Sequence, residues 1–315
     1  MVKKTRWIAY FSVLLLGGMA LSGCVSPLPA YGAPYINLDN RAPLPQAKSG
    51  EIKPLKVAIA AVISPQGLAE SYAPLLEYLE SALGRPVEVV QRRTYSEIND
   101  LLVAGEVDVA FVCTSSYLAG RQFGLQLLAA PQVDGKVTYR AKVIVSAGSL
   151  VQSMEDLRGK VFAFTDPISF TGRVYPTYLL QQMGERPETF FARTFFTYSH
   201  DDAIYAVAHG VADGASVDAL VLDFALKRDP ELASRIRVIH TSEPFGMPPV
   251  VVGPHISPHL KVELQEIMLS MHLDPAGQRA LDVLDYDRFV MVQDQDYRTA
   301  EVVASAVESI LDVKQ

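Results

Sequence analysis

Leu55-Lys56-Val57-Ala58-Ile59-Ala60-Ala61-Val62 holds a single polar residue, Lys56, in an otherwise apolar run. A short apolar run rich in β-branched side chains reads as a strand buried on both faces, the kind found in parallel sheets. Ser64 to Leu83 then reads as a helix, ended by Gly84-Arg85-Pro86. Val87-Glu88-Val89-Val90 is the next strand, Ser96 to Ala104 a helix, and Val107 to Val112 a third strand. This is a βαβαβ start with right-handed crossovers. A second round follows: Val161 to Phe164 as strand, Thr171 to Met183 as helix, Phe190 to Phe196 as strand, His200 to Ala208 as helix, and Ala215 to Leu222 as strand. Two α/β lobes, each a mixed sheet flanked by helices, account for both rounds.

The rounds repeat in detail. Tyr95-Ser96 opens a helix that closes at Gly105-Glu106-Val107-Asp108, and Tyr198-Ser199 opens one that closes at Gly210-Val211-Ala212-Asp213. Glycine suits the left-handed position after a helix, and the aspartate then begins the next strand. Tyr139 to Ser146 lies between the rounds, and Arg237 to His240 with Pro248-Pro249-Val250-Val251-Val252 lies after the second. Read as paired crossing strands, these make lobe 2 (146–243) an insertion in lobe 1 (55–145 and 244–315). Helices over Pro258 to Leu273 and Thr299 to Val313 complete lobe 1. Such a plan leaves a cleft and a hinge that can close it.

Upstream, Lys3, Lys4 and Arg6 precede an apolar stretch from Trp7 to Leu21, which ends in Leu21-Ser22-Gly23-Cys24. That order reads as an export signal over 1–23, too short for a stable span, with Cys24 as the lipidated first residue of the mature chain. Val25 to Pro54 carries Pro27, Pro29, Pro34, Pro43, Pro45 and Pro54, so 24–54 reads as an extended tether. The expected location is outside the cytoplasmic membrane, facing the periplasm or the cell exterior.

Once Cys24 is lipidated, Cys113 has no partner for a disulfide, and its apolar neighbours mark a buried structural thiol. The formal charge of −7 grows more negative by three when the signal leaves, which argues against a nucleic-acid partner. It leaves room for a small anion held by local donors. No cofactor is implied. Adjacent His200, Asp201 and Asp202 point in different directions on a helix and make a poor metal site.

Asp166-Pro167-Ile168-Ser169-Phe170-Thr171-Gly172-Arg173 joins a predicted strand to a predicted helix. The first helical turn presents unpaired N–H donors and partial positive charge, so it can hold an oxyanion, with hydroxyls added by Ser169 and Thr171 and close approach allowed by Gly172. An ordinary N-cap explains the same residues. Thr114-Ser115-Ser116-Tyr117 follows the third strand at its carboxyl end, where open α/β sheets bind ligands, and reads as the opposite wall or as a capping turn. Tyr95 reads as a ligand donor or a core-edge phenol. No Gly-x-Ser-x-Gly elbow surrounds Ser169, so a Ser169–His200–Asp hydrolase is disfavoured and an enzyme is not expected.

From Leu55 to about Met271 the chain resembles the phosphonate/phosphite substrate-binding family of ABC importers, a type II periplasmic binding fold. The resemblance rests on the opening strand, Tyr95, the Gly105 to Val112 segment, the Tyr139 to Val145 strand, Leu157-Arg158-Gly159-Lys160-Val161, Asp166-Pro167 with the hydroxyl-rich helix start, His200-Asp201, Asp213 and Asp218. It implies that Ser169, Thr171 and the N–H groups of Phe170 to Gly172 grip the oxyanion, with Tyr95 and His200 donating to it. It further implies that Asp201 and Asp218 face the organic end. Phe170 stands where the family often has a hydroxyl, which removes a donor and adds an aromatic wall. The implied protein is a monomeric, lipid-anchored binding component that captures a small phosphorus oxyanion or organophosphonate and meets a permease. A sensory lipoprotein and a sulfonate binder are the alternatives.

Overall fold

The computed structural model describes residues 53–311, apart from 61, 63 and 64. The signal, Cys24, the tether, and the last two residues of the helix expected to reach Val313 lie outside the described residues. The strands are β1 (Leu55–Ile59), β2 (Val87–Val90), β3 (Val109–Phe111), β4 (Gln126–Gln132), β5 (Thr138–Tyr139), β6 (Ala141–Ser146), β7 (Val161–Phe164), β8 (Arg193–Phe196), β9 (Gly214–Asp218), β10 (Ile236–Thr241), β11 (Phe245–Gly246), β12 (Val250–Val252) and β13 (Arg288–Val290). The helices are α1 (Pro65–Leu83), α2 (Tyr95–Ala104), α3 (Thr114–Gly120), α4 (Tyr175–Gln182), α5 (Pro187–Phe190), α6 (His200–Ala208), α7 (Ala219–Arg228), α8 (Leu232–Arg235), α9 (Pro258–Ser270), α10 (Pro275–Val283) and α11 (Arg298–Leu311).

β1 lies between β3 and the edge strand β2 in the first sheet, whose order is β13-β4-β12-β3-β1-β2, and it runs parallel to both neighbours. Its side chains alternate between two cores, as a period of two requires. Ala58 joins Ile98, Leu102 and Ala110 on one face, while Leu55, Val57 and Ile59 join Leu75, Leu79 and Phe111 on the other. The second sheet has the order β10-β6-β9-β7-β8 and divides its apolar residues in the same way. Ala163, Ala215 and Val217 face α6, and Phe162, Phe164 and Val145 face the opposite side.

The internal repeat is physical. The parallel order β3-β1-β2 is matched by β9-β7-β8, each set followed by an antiparallel neighbour, β12 or β6. Gly105 and Gly210 both adopt left-handed backbone, at φ 72° and φ 70°. The aspartates after them make the same bracket. Asp108 N–H donates to Lys56 O at 2.9 Å while its carboxylate accepts from Lys56 N–H at 2.9 Å. Asp213 N–H donates to Val161 O at 2.8 Å while its carboxylate accepts from Val161 N–H at 2.8 Å. Each aspartate thus pins the first strand of its βαβαβ unit.

The crossings are shorter than the sequence suggests. Ala141–Ser146 pairs with β9 and β10 inside the second sheet, and Val250–Val252 lies inside the first. Between the sheets runs the two-stranded ladder of β5 with β11, Phe245 opposite Tyr139. Two expected strands are also trimmed. Pro187–Phe190 is a helical turn, and the strand from Ala215 stops at Asp218 because its carboxylate accepts from Leu220 N–H at 2.8 Å and starts α7. Replacing Asp213 with Ala should lower the unfolding free energy by about 1 kcal/mol, the scale of one hydrogen bond. Urea titration checks this: the midpoint should fall with no change in m-value.

Candidate functional site

β7 delivers the chain to the turn Thr165 to Ser169, whose last residue caps a π-helical turn, Phe170–Val174, that runs on into α4. Ser169 Oγ accepts from Gly172 N–H at 3.2 Å and lies 3.4 Å from His200 Nε2. His200 opens α6 after the N-cap Ser199, and its Nδ1 accepts from Asp218 N–H at 3.0 Å. Accepting at Nδ1 places the neutral ring's proton on Nε2. Burial pushes the His200 pKa down to about 3, only partly offset by neighbouring Asp201, so the ring is neutral at physiological pH. Both acceptor positions of Ser169 Oγ are then filled, and its own proton remains to be donated.

The first lobe faces this turn closely. Tyr95, at the start of α2, donates its backbone N–H to Asp166 Oδ2 at 3.1 Å, and Ser115 Oγ donates to Ile168 O. His200 N–H donates to Val62 O at 2.9 Å. Arg93 lies over the Tyr198 ring at 4.0 Å, and Tyr198 is one of the few non-glycine residues with positive φ, 64°. The lobes therefore meet through polar groups at the helix starts. Asp166 is fully buried, and burial raises its pKa to about 6 against the hydrogen bonds from Ile168 and Tyr95. Burial likewise raises Asp218 to about 7, opposed by the amides of Leu220 and Val221. Burial pushes the Tyr95 and Tyr139 phenols well up, with Cys113 and Asp218 adding to the rise in both, so these groups form one buried cluster.

Ser169, Thr171, His200, Tyr95, Thr114, Ser115, Ser116 and Asp218 are all buried at this junction. Thr114 Oγ1 donates to Gly246 O at 2.9 Å, tying α3 to the hinge ladder. Ser116 Oγ is buried without a hydrogen-bond partner. Cys113 is a buried free thiol, and it caps α3 by accepting from Ser116 N–H at 3.3 Å. Asp201 is half-buried on α6, beyond His200.

Two expected roles are corrected. Phe170 is not a wall of the cleft: its ring packs edge-on against Phe245 at 4.7 Å and belongs to the apolar cluster around the hinge. Gly172 serves packing rather than approach to a ligand, since a Cβ there meets Thr165 Oγ1 at 1.8 Å and its N–H is taken by Ser169. Tyr139 and Asp166, read from sequence as a crossing strand and a turn, join the site. The signal for Asp166 was available, as an aspartate that ends a buried strand and cannot reach water needs amide partners.

A cavity of about 100 Å³ adjoins the cluster, with Ile59, Tyr72, Phe111, Asp218, Phe224 and Tyr286 among its walls. Of the site residues expected from sequence, only Asp218 lines it. No group of metal-ligating side chains occurs among the described residues. The arrangement is unsuited to hydrolysis. A triad needs a histidine that accepts from serine and is oriented by a carboxylate on its other nitrogen. Here a backbone amide donates to that other nitrogen, and the proton sits on the wrong side.

Two lobes built from repeated βαβαβ units, joined by a two-stranded hinge and closed over buried hydroxyls, imidazole and phenols, define a type II periplasmic binding protein. The family model described as "ABC transporter, phosphonate, periplasmic substrate-binding protein" matches residues 57–297, and the chain belongs to that family. The phosphate-import protein PhnD of Mycolicibacterium smegmatis is 29% identical over 191 residues, covering 56% of this chain and 60% of that protein. The phosphonates-binding periplasmic protein of Escherichia coli is 26% identical over 246 residues, covering 75% of this chain and 72% of that one. These relatives are binding proteins of transporters, not enzymes. In fold, a Pseudomonas aeruginosa binding component of an ABC phosphonate transporter superposes with TM-score 0.77 at 20% identity, covering 84% of this chain and 90% of that one. A Prochlorococcus marinus homologue in complex with methylphosphonate gives 0.74 at 19% identity, covering 82% and 100%.

Because His200 stays neutral when folded but its unfolded imidazole protonates near 6.5, its contribution to stability is present above pH 6.5 and is lost as pH falls toward 3. His200→Gln keeps an acceptor and a donor without titrating. The stability difference, wild type minus variant, should fall by roughly 3 kcal/mol between pH 7 and pH 4 in paired denaturant titrations, and a flat difference would count against the neutral ring. Gly172→Ala should cost about 1–3 kcal/mol through overpacking, with part of the loss recovered when Thr165→Ala is added.

Proposed function

We propose that this chain captures a small phosphorus oxyanion or organophosphonate in the interlobe cleft and presents it to the permease of an ABC importer. The observation that carries the reading is the donor pair at the cleft: His200 with its proton on Nε2, and Ser169 with both lone pairs engaged and its proton left to give. Neutral donors in a buried site suit an anion, because each hydrogen bond to a charged oxygen is stronger than one between neutral groups. Thr171 and the unpartnered Ser116 Oγ are further buried hydroxyls at the junction of the lobes.

Mechanism in this reading is closure. The lobe carrying the β13-β4-β12-β3-β1-β2 sheet and the lobe carrying the β10-β6-β9-β7-β8 sheet shut around the ligand, and the ligand favours the closed form only to the extent that it binds that form better than the open one. Closure gives a permease a shape to recognise. Cys24 holds the monomer at the membrane through its lipid, with 24–54 as the tether; incorporation of labelled fatty acid, abolished by Cys24→Ala, tests that part.

The anion site is tested by thermal shift on residues 26–315 with phosphate, phosphite, methylphosphonate, 2-aminoethylphosphonate, sulfate and taurine. A ligand at about 100 times its Kd adds ~2.7 kcal/mol of stability. We expect a shift with phosphorus ligands that disappears in the Ser169→Ala, Thr171→Ala double variant while circular dichroism is unchanged. Equal shifts in the double variant would remove the helix start from the site, and a response to taurine alone would favour a sulfonate.

A further inference from the structure

The cavity beside the anion donors is walled from both lobes. Tyr72 on α1, Phe111 on β3 and Tyr286 come from the first lobe, and Leu220, Val221 and Phe224 on α7 come from the second. Its volume is about 100 Å³. That is room for a few carbon atoms, since an apolar cavity of about 150 Å³ accepts benzene. At the rim the lobes are pinned by Arg228 with Glu70 at 3.0 Å and by Lys227 with Asp285 at 3.0 Å. The link to the anion site is one residue long: the N–H of Asp218 fixes His200, and its side chain lines the cavity.

The walls are aromatic and aliphatic apart from Ser71, Asp218 and the phenol groups of Tyr72 and Tyr286. Those phenols engage each other, and Asp218 is already committed as the N-cap of α7 through Leu220 N–H. Burial raises the pKa of the carboxyl to about 7, so near neutral pH it carries only part of a negative charge. What the space still lacks is apolar contact.

We propose that this cavity seats the organic substituent of the ligand, and that the chain selects phosphonates bearing an uncharged alkyl group of about three carbons over methylphosphonate and over inorganic phosphate or phosphite. This rests on the anion-binding reading of the cleft and narrows its substrate class. Each buried methylene is worth about fourfold in affinity, so two added methylenes should tighten binding by at least about tenfold.

Isothermal titration of residues 26–315 with phosphite, methylphosphonate, propylphosphonate and 3-aminopropylphosphonate tests it. The expected order places propylphosphonate tightest, at least about tenfold ahead of methylphosphonate and of the aminated analogue. Phe224→Ala, which removes one wall, should move the optimum to a longer chain, pentyl over propyl, a ratio that is read on whatever fraction folds. Equal affinity for all phosphonates, preference for the ammonium, or an unmoved optimum in Phe224→Ala would overturn the cavity assignment and leave the anion site standing. Absence of binding by every phosphorus ligand would instead overturn the anion reading on which it depends.

Discussion

The proton that Asp218 N–H donates to His200 Nδ1 sets the polarity of the cleft. It forces the ring's single N–H proton onto Nε2, toward Ser169, so the imidazole gives rather than takes there. Ser169 is left as a donor by the same step, because Gly172 N–H fills its remaining acceptor position. A serine and a histidine within reach of each other resemble catalytic machinery, yet this one backbone bond leaves both as donors. Asp218 also ends β9, starts α7 and lines the neighbouring cavity, so the amide that orients the imidazole belongs to the residue that joins the two spaces.

The surroundings reinforce that choice through burial. A neutral imidazole suits a water-excluded site, whereas the two carboxyls there are pushed toward protonation. Their effects on stability have opposite sign with pH. Asp166 and Asp218, raised above the usual carboxylate range, favour the folded chain as pH falls from about 6–7 toward 4, while His200 opposes it over an overlapping window. The site can therefore keep buried titratable groups of both kinds with partial cancellation. Asp166 does more than titrate, because its amide partner on Tyr95 belongs to the other lobe and the bond exists only when the lobes meet.

Much of this was legible in the chain. The β1 and β7 runs, the opening of α6 at His200 and the paired glycine-aspartate endings follow from local pattern, and the repeated topology follows from them. Asp108 and Asp213 show how far such reading extends: both were placed at strand starts, and both bracket the first strand of their own βαβαβ unit. The failures are equally physical. Phe170 follows a capping serine in a hydroxyl-rich segment, which suggests a cleft residue, but the π-helical turn aims its ring at Phe245 in the hinge. Gly172 reads as room for a ligand, and that room is occupied by Thr165.

By itself the sequence determined the two α/β lobes, their internal repeat and the hydroxyl-rich helix start, since apolar period, capping residues and glycine turns act over a few neighbouring residues. The tertiary structure decided which of those groups face one another. Tyr95 and Asp166 are separated by 71 residues, Thr114 and Gly246 by 132, and no local pattern encodes such pairings. The tautomer of His200 depends on a backbone amide from another strand end, and the cavity walls come from α1, β3 and α7 together. Burial is likewise a property of the packed chain, and it is burial that keeps His200 neutral and the cleft built of donors.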